Sequence, residues 1–328
     1  MNRVDVSVLV PAKDEAGNLA MFMEQCAETF KAAKETYEVV VIDDGSSDNS
    51  WALLQELAKQ YSFLHPVRHR AQRGIAEALA TGYRNSVADI LVFYPADLQF
   101  KPEDIPRLVQ PILHGDSDMV TGYKEGQYNK AFVSGIYNKL SRSLFDVPVR
   151  DLNNVKAYRR EVMQSLPMRP DWHRYMIVLA HANGYSVTEV PMPLYPRHSG
   201  KSKFGLSRIP IGVLDMLSVW FELRFGQKPL LAFGMLGAAL FAFGVLAGVA
   251  ALGRLLVSGE GQRWAWTLIQ TCLVLGSIFF ASGLMGELIA QQRAEVRELR
   301  REIEALSARG APKSSGSSSD STPHSDAG

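Results

Sequence analysis

The chain has few cysteines and no excess of charge of either sign. Cys26 and Cys272 are its two cysteines, and one lies in a predicted soluble helix and the other in an apolar stretch, which argues against a disulfide scaffold and a cysteine-ligated metal. Lysine plus arginine number 35 and aspartate plus glutamate 34, so no global field favours nucleic acid or an acidic partner. The amino terminus, MNRVDVSVLV, lacks the features of a signal peptide, and we expect the soluble part to stay in the cytoplasm.

Charge is also missing from two long stretches, residues 229–253 and 264–286. Each is long enough to cross a hydrocarbon core of about 30 Å at about 1.5 Å per residue. A pair of buried core helices is the alternative, but two adjacent uncharged stretches favour a membrane hairpin. Basic residues flank the pair on its outer sides, and the connector at 254–263 carries only Arg254 and Arg263. The positive-inside rule then predicts a multi-pass inner-membrane protein whose catalytic domain and carboxyl terminus are cytoplasmic.

Before these stretches, short apolar runs alternate with helical patterns. The runs predict strands near residues 6–10, 37–43, 63–69, 89–94, 118–123 and 186–195. Continuous apolar strands alternating with helices indicate an α/β fold with a parallel sheet covered on both faces. We assign residues 1–206 to this domain.

Three further segments follow from composition. Residues 207–228 are amphipathic and predict either a helix on the membrane surface or an ordinary docking helix. Residues 287–308 predict a charged cytoplasmic helix, either self-associating or solvated, and 309–328 a disordered tail. Gly244 and Gly248 are spaced for close helix contact within the hairpin or between protomers.

Acidic residues stand where two of the predicted strands end. In VIDDGSSDNS, Asp43 and Asp44 come directly after a buried run, at the sheet edge where α/β proteins bind ligands and where carboxylates can accept hydrogen bonds from a base or ribose. Capping of the next helix by Asp48 or Ser50 is the other interpretation, and both can hold. Pro11 and Glu15 flank the loop after the first strand, and Asp97 follows the strand at 89–94.

Taken in order, these segments resemble glycosyltransferase family 2, in the branch of dolichol-phosphate mannose synthases and bacterial polyprenyl-phosphate glycosyltransferases. The resemblance covers about residues 5–205 and rests on five ordered motifs, each weak alone. They are Pro11 to Glu15, Asp43 to Asp48, RGIAEALATG from Arg73 to Gly82, Pro95 to Gln99, and RHSGKSK from Arg197 to Lys203. It implies the GT-A fold, a Rossmann-like, mostly parallel sheet, followed by amphipathic juxtamembrane helices and a two-helix transmembrane hairpin.

The resemblance also implies the roles of individual residues. The candidate nucleotide-sugar ligands are Pro11, Ala12, Glu15, Asp43, Asp44, Ala96, Asp97 and Gln99. The candidate acceptor-phosphate ligands are Lys124, Arg197, Lys201, Ser202 and Lys203, and the candidate catalytic residues are Asp97, Arg197 and Lys203. A basic patch that only attracts anionic lipid headgroups is the alternative for the late lysines and Arg197.

The chain departs from the family at two positions. Pro95 replaces the first metal-binding acid, and Lys124 stands where members commonly present arginine. Mg²⁺ is often held by one or two carboxylates with phosphates and water. We therefore expect Asp97 and the Gln99 carbonyl, with the diphosphate, to hold Mg²⁺ or Mn²⁺ less tightly than paired acids would.

The hypothesis is inverting transfer of a sugar from a UDP- or GDP-linked donor to polyprenyl (undecaprenyl) phosphate for cell-envelope glycosylation. Because a lipid phosphate is already anionic, no general base is required. A processive polysaccharide synthase of the same fold is one alternative, disfavoured by the small number of spans. A non-catalytic membrane scaffold that lost its metal motif is the other. The resemblance further implies a homo-oligomer, either a dimer or a tetramer, and no nucleic acid is expected as a partner.

Overall fold

A seven-stranded sheet forms the centre of the amino-terminal part. The computed structural model describes residues 4–125, 144–145, 147–152, 154–166, 169–170, 172–198, 209–226, 228–259 and 263–310. The strands are β1 Val6–Ala12, β2 Tyr37–Asp43, β3 Leu64–Arg68, β4 Ile90–Phe93, β5 Met119–Glu125, β6 Lys156–Arg159 and β7 Val187–Pro193. Their order across the sheet is β3-β2-β1-β4-β6-β5-β7.

Most strand pairs are parallel, as the apolar runs predict. β1 pairs in parallel with β2 and β4, β2 with β3, and β5 with β7, whereas β6 runs antiparallel to both of its neighbours. β2 is buried along its whole length, because both faces of a parallel sheet are covered. The sequence patterns did not predict β6, whose four residues begin with a lysine.

Helices cover both faces of this sheet. They are α1 Ala16–Ala32, α2 Ser50–Gln60, α3 Ile75–Arg84, α4 Ile105–Leu113, α5 Arg160–Ser165, α6 Met176–Ala182 and α7 Ile209–Phe225, with 3₁₀ turns at Pro102–Asp104 and Trp172–Tyr175. One core joins α1 and α4 to the sheet through Phe22 and Leu108. The other core joins α3 and α6 to the opposite face through Leu79 and Ile177.

Helix α7 docks on the globular domain by one face. Met216 and Val219 belong to the second core, and the hydroxyl of Tyr175 donates to the carbonyl of Gly212 at 3.1 Å. The exposed side carries Leu214 and Leu217, whose exposed fractions are 65% and 48%. The docking interpretation of this segment is therefore confirmed for one face, and the other face stays apolar and exposed.

The compact unit that contains this sheet ends at Leu223, and a second unit begins at Arg224. The second unit consists of a π-helical turn at Leu230–Gly234, α8 Met235–Ser258 and α9 Arg263–Gly310. The second predicted span and the charged helix after it are thus one continuous helix. No proline interrupts the run of helix-forming residues after Gly286, so the helix continues.

Within the described residues, two helical stretches are long and apolar enough to cross a membrane, Leu230–Ser258 and Arg263–Val296. Only 17% of each apolar window is buried, which is typical of lipid-facing helices and not of core helices. The two helices approach closely at Gly237 and Gly276: a Cβ on Gly276 would lie 2.7 Å from the amide nitrogen of Phe241. Gly244 also lies at this contact, against Leu273, in agreement with the predicted small-residue spacing. Glu287 accepts from the amide of Leu230 at 3.3 Å, where the first span begins.

Candidate active site

The carboxyl ends of β1, β2 and β4 meet at one edge of the sheet. Ala12 pairs with Asp43, and Leu9 pairs with Phe93. The loops that follow these strands therefore lie side by side, although they are about 30 to 50 residues apart in sequence. This register places the candidate residues after β1, β2 and β4 at one location.

Asp43 is the last residue of β2 and is fully buried. Its Oδ1 accepts from the amide of Ser46 at 3.0 Å. Its Oδ2 lies 3.1 Å from Nε of Arg68 at the end of β3, but it has no aligned hydrogen bond within the described structure. Arg68 therefore balances the charge of Asp43 and leaves an oxygen with spare capacity to accept a hydrogen bond.

The Asp44 carboxylate is occupied by donors from the protein itself. Oδ1 accepts from the amide of Arg73 at 2.7 Å and faces Nδ1 of His69 at 2.8 Å, while Oδ2 accepts from the amide of Gly74 at 2.8 Å. Burial alone would raise the pKa of Asp44, but these hydrogen bonds outweigh it and hold the pKa below its ordinary value. Of the two adjacent acids, Asp43 is the one with an acceptor atom to spare, and Asp44 fixes the loop before α3.

The same contacts explain the glycine that begins the third motif. Gly74 has a positive φ of 88°, which strains any residue with a Cβ, and it donates its amide to Asp44. His69 connects this loop to α3, because its Nε2 lies 3.0 Å from the hydroxyl of Thr81. Sequence reasoning did not single out His69; a histidine at the end of the strand predicted at 63–69 was the available signal.

The loop after β1 is bonded to the loop after β2. The Glu15 amide donates to the hydroxyl of Ser50 at 2.9 Å, and the amide of Ser47 donates to Asp14 at 2.7 Å. Asp48 accepts from the amides of Ser50 and Ala16, the first residues of α2 and α1, whereas the N-cap residues of these helices, Asn49 and Glu15, form no side-chain capping hydrogen bond among the described residues. The Glu15 carboxylate itself accepts from the side chain of Asn18 at 2.6 Å.

Asp97, Gln99 and Arg197 come together beyond the end of β4. Nη2 of Arg197 donates to Oδ2 of Asp97 at 2.8 Å and to the side-chain oxygen of Gln99 at 3.2 Å. The backbone carbonyl of Gln99 accepts from the amide of Tyr195 at 2.9 Å. The Gln99 oxygen that faces the Arg197 guanidinium is therefore the side-chain oxygen. Leu98 adopts a positive φ of 58°, which lets Asp97 and Gln99 face the same partner.

Lys124, at the end of β5, lies 3.3 Å from the buried carboxylate of Asp151. Next to this pair, Lys156 is completely buried at the start of β6, and sequence reasoning missed it because a lysine in a short strand carries no apolar signal. The other candidate phosphate ligands, Lys201, Ser202 and Lys203, lie outside the described residues.

His173, in the 3₁₀ turn at Trp172–Tyr175, is buried. Its Nδ1 has no hydrogen-bond partner within the described structure. Burial, with Lys156 and Arg174 nearby, lowers the pKa of His173 to about 3, so the ring is neutral near pH 7.

Comparison with known proteins agrees with this geometry. The family model described as "Glycosyl transferase family 2" matches residues 7–147. The chain carries a family 2 glycosyltransferase domain. It is a glycosyltransferase, and the motifs that predict the family from Pro11 to Gln99 all lie inside the matched range.

Curated relatives extend the similarity of the glycosyltransferase beyond that domain. An undecaprenyl-phosphate 4-deoxy-4-formamido-L-arabinose transferase from Pseudomonas fluorescens is 27% identical over 302 residues, covering 89% of this chain and 86% of the relative. The protein of that name from Edwardsiella ictaluri is 28% identical over 306 residues, covering 89% and 90%. Both alignments are longer than the sheet domain.

Solved structures show the GT-A fold. Glucosyl-3-phosphoglycerate synthase from Mycobacterium tuberculosis, solved with Mn²⁺, uridine diphosphate and glucosyl-3-phosphoglycerate, superposes with a TM-score of 0.51. It is 20% identical to the glycosyltransferase, and the match covers 68% of this chain and 80% of that one. The mostly parallel sheet predicted from the sequence is thereby confirmed as a GT-A domain.

Proposed function

We propose that the glycosyltransferase transfers a sugar, with inversion, from a UDP- or GDP-linked donor to polyprenyl phosphate at the cytoplasmic membrane face. The observation that carries the proposal is the cluster beyond β4, where a cation from the late RHSGKSK element meets Asp97 and Gln99. The two relatives described above are both undecaprenyl-phosphate transferases, which supports the acceptor class.

The nucleotide would bind over the ends of β1 and β2, through Pro11, Ala12, Glu15 and Asp43. The Oδ2 atom of Asp43 is a buried acceptor without an aligned donor, which suits an N–H of a base or an O–H of a ribose. Asp44 would support the nucleotide site indirectly, because its hydrogen bonds to the amides of Arg73 and Gly74 fix the loop that faces this edge.

The donor set beyond β4 fits a divalent cation. Two oxygens, from the Asp97 and Gln99 side chains, lie within 3.2 Å of one cationic nitrogen, and oxygen ligands are those that Mg²⁺ prefers. No group of three acidic, histidine or cysteine side chains occurs in the described ranges, so substrate phosphates would have to complete the coordination. With Ala96 lining the loop, Asp97 and Gln99 would hold Mg²⁺ or Mn²⁺, which would neutralise charge on the leaving diphosphate.

The chain itself would supply the charge that positions the two phosphates. Arg197 can form paired hydrogen bonds with phosphate oxygens once a cation or substrate takes its place at Asp97. Lys124 would hold the acceptor phosphate from the other side, with Lys201, Ser202 and Lys203 as further candidates. The acceptor arrives as an anion, so the side chains need to orient it and not to remove a proton.

The membrane contacts follow from the apolar surfaces. The two apolar helices indicate membrane association. The exposed leucines of α7, Leu214 and Leu217, lie 16 and 13 residues before Leu230, where the first span begins. We propose that they rest in the interfacial layer where a lipid acceptor enters. The flanking arginines favour a cytoplasmic catalytic domain and carboxyl terminus.

The test is transfer of radiolabelled sugar from a panel of UDP- and GDP-sugars to undecaprenyl phosphate by purified full-length protein with Mg²⁺, Mn²⁺ or EDTA. We expect one donor to give a lipid-linked product that is lost in EDTA and in Asp97→Asn. Asp116→Asn is the matched control, because Asp116 is exposed and remote from the site in sequence and topology.

Two outcomes would contradict the proposal. Product longer than one sugar per lipid would favour a processive synthase. Nucleotide binding by the wild type without transfer from any donor would favour the non-catalytic scaffold.

A further inference from the structure

Lys156 is a buried cation at the same sheet edge as the candidate site. It is 0% exposed, and its register partners are Phe93, the last residue of β4, and Thr121 of β5. Its ammonium donates to the carbonyl of Asn154 at 2.7 Å and lies 5.7 Å from the centre of the Phe93 ring. Asp97 follows Phe93 by only four residues, so Lys156 belongs to the floor of this edge.

The charged and titratable groups that act on Lys156 are Asp151, Lys124 and His173. The pKa of Lys156 is lowered to about 7, chiefly by burial; Asp151 acts to raise it, and Lys124 adds a smaller lowering effect. Asp151 is already 3.3 Å from the ammonium of Lys124. The Lys124–Asp151 ion pair therefore lies within the electrostatic field of Lys156, and His173, neutral near pH 7, adds no counter-charge.

Burying the Lys156 ammonium in this way does not by itself stabilise the folded state. A buried ammonium loses its hydration, and one carbonyl replaces only part of it. A methionine of similar length would fill this space without that cost, as apolar replacements of buried charges often do. An anion placed beside Lys124 would add negative charge close to the buried ammonium of Lys156.

We propose that Lys156 is a positioning residue for the substrate phosphate: buried at this sheet edge, it adds its charge to that of Lys124, so that a phosphate bound at Lys124 is attracted by both ammonium groups. The inference rests on the proposed function, which brings a phosphate to Lys124. Lys156 acts through the field and not through contact, because it is completely buried.

The experiment measures KM and kcat of the full-length enzyme for a short-chain polyprenyl phosphate between pH 6.5 and 8.5, with the donor at saturation. Wild type is compared with Lys156→Met, Lys156→Arg and the surface control Lys59→Met, and circular dichroism gives each Tm. We expect Lys156→Met to raise the acceptor KM on the order of tenfold at pH 6.5, with the donor KM unchanged. Its Tm should be equal to or above that of the wild type, whereas a merely structural lysine would lower Tm when removed.

The pH profile gives a second, independent readout. In the wild type the acceptor KM should rise with pH as Lys156 loses its proton. The second ionisation of the acceptor phosphate, near pH ~6, makes the acceptor more negative and would by itself lower the KM as the pH rises. Lys156→Arg should keep a low KM that no longer rises over this range, because a guanidinium stays charged. Lys59→Met should follow the wild type.

The outcomes separate the inference from the proposed function. A wild-type enzyme that transfers no sugar to polyprenyl phosphate would overturn both. Active wild type with an unchanged acceptor KM in Lys156→Met would overturn the inference alone. If Lys156→Met does not fold, a pH profile that is the same in wild type and Lys156→Arg would overturn it as well.

Discussion

Arg197 occupies the position that a divalent cation would need at Asp97. Its Nη2 is 2.8 Å from Oδ2 of Asp97 and 3.2 Å from the side-chain oxygen of Gln99, the two oxygens that would hold the metal. Neither side chain is more than about a quarter exposed, so solvent screens this interaction only partly. A metal that binds before the nucleotide therefore has to displace the guanidinium.

The magnitude follows from the hydrogen bonds that are lost. Hydrogen bonds to charged groups contribute about 1.5–3 kcal/mol each, and partial exposure favours the lower end of that range. A cost of about 1.5 kcal/mol corresponds to roughly a tenfold weaker metal affinity. Arg197→Met should therefore bind Mn²⁺ about tenfold more tightly than the wild type when no nucleotide is present.

Electron paramagnetic resonance of free Mn²⁺ during a titration of purified protein measures this directly, without turnover. Arg107→Met is the matched control, since Arg107 is exposed on α4. Equal or weaker Mn²⁺ binding in Arg197→Met would refute the competition. In transfer assays the same variant should lose activity, because the proposed phosphate clamp is missing.

Other consequences of the structure can be measured as stability. Lys156 keeps its proton up to about pH 10.5 in the unfolded chain but releases it near pH 7 in the folded chain. The free energy of unfolding should therefore rise with pH, by about 1 kcal/mol between pH 7 and 8. Chemical denaturation of Lys156→Met should not show this rise. Asp44→Asn should lower the free energy of unfolding by about 1–3 kcal/mol, because the NH₂ group of the asparagine would face N–H donors that now donate to the Asp44 carboxylate. Its Tm should be lower than that of the control Asp116→Asn. Gly276→Ala should destabilise the hairpin in detergent, since its Cβ would lie 2.7 Å from a backbone nitrogen, whereas Gly253→Ala meets nothing within 4 Å and should be neutral.

The parallel half of the fold could be predicted from the sequence because its strands are unbroken apolar runs. The run at Tyr37–Asp43 has the predicted bounds, and the acids after it lie at the edge where parallel strands place their ligands. The sequence pattern of α7 was compatible with a helix on the membrane surface and with a docking helix, because an amphipathic pattern does not show what covers the apolar face. The contacts of Met216 and Val219 decide for docking on one face only.

The antiparallel half could not be predicted in the same way. β6 is four residues long and starts with a charge, so its pattern resembles a loop until β4 and β5 lie on either side of it. The different roles of Asp43 and Asp44 could not be predicted from the sequence either. It depends on His69 and the amides of Arg73 and Gly74, which reach Asp44 only after the chain has folded back.

The departure at Pro95 is consistent with the charges around it. In the proposed reaction two phosphate-bearing substrates meet at one edge, and each carboxylate there repels them as well as binding a metal. Beyond β4 and β5, the described charged side chains include Asp97, paired with Arg197, and Asp151, paired with Lys124 near the buried Lys156. In the proposed reaction, one acid fewer beside these cations would weaken the metal site but would favour the approach of an anionic acceptor. A proline-for-acid change would therefore be tolerated best in a transferase whose acceptor is itself a phosphate, and Pro95→Asp should strengthen Mn²⁺ binding while raising the acceptor KM.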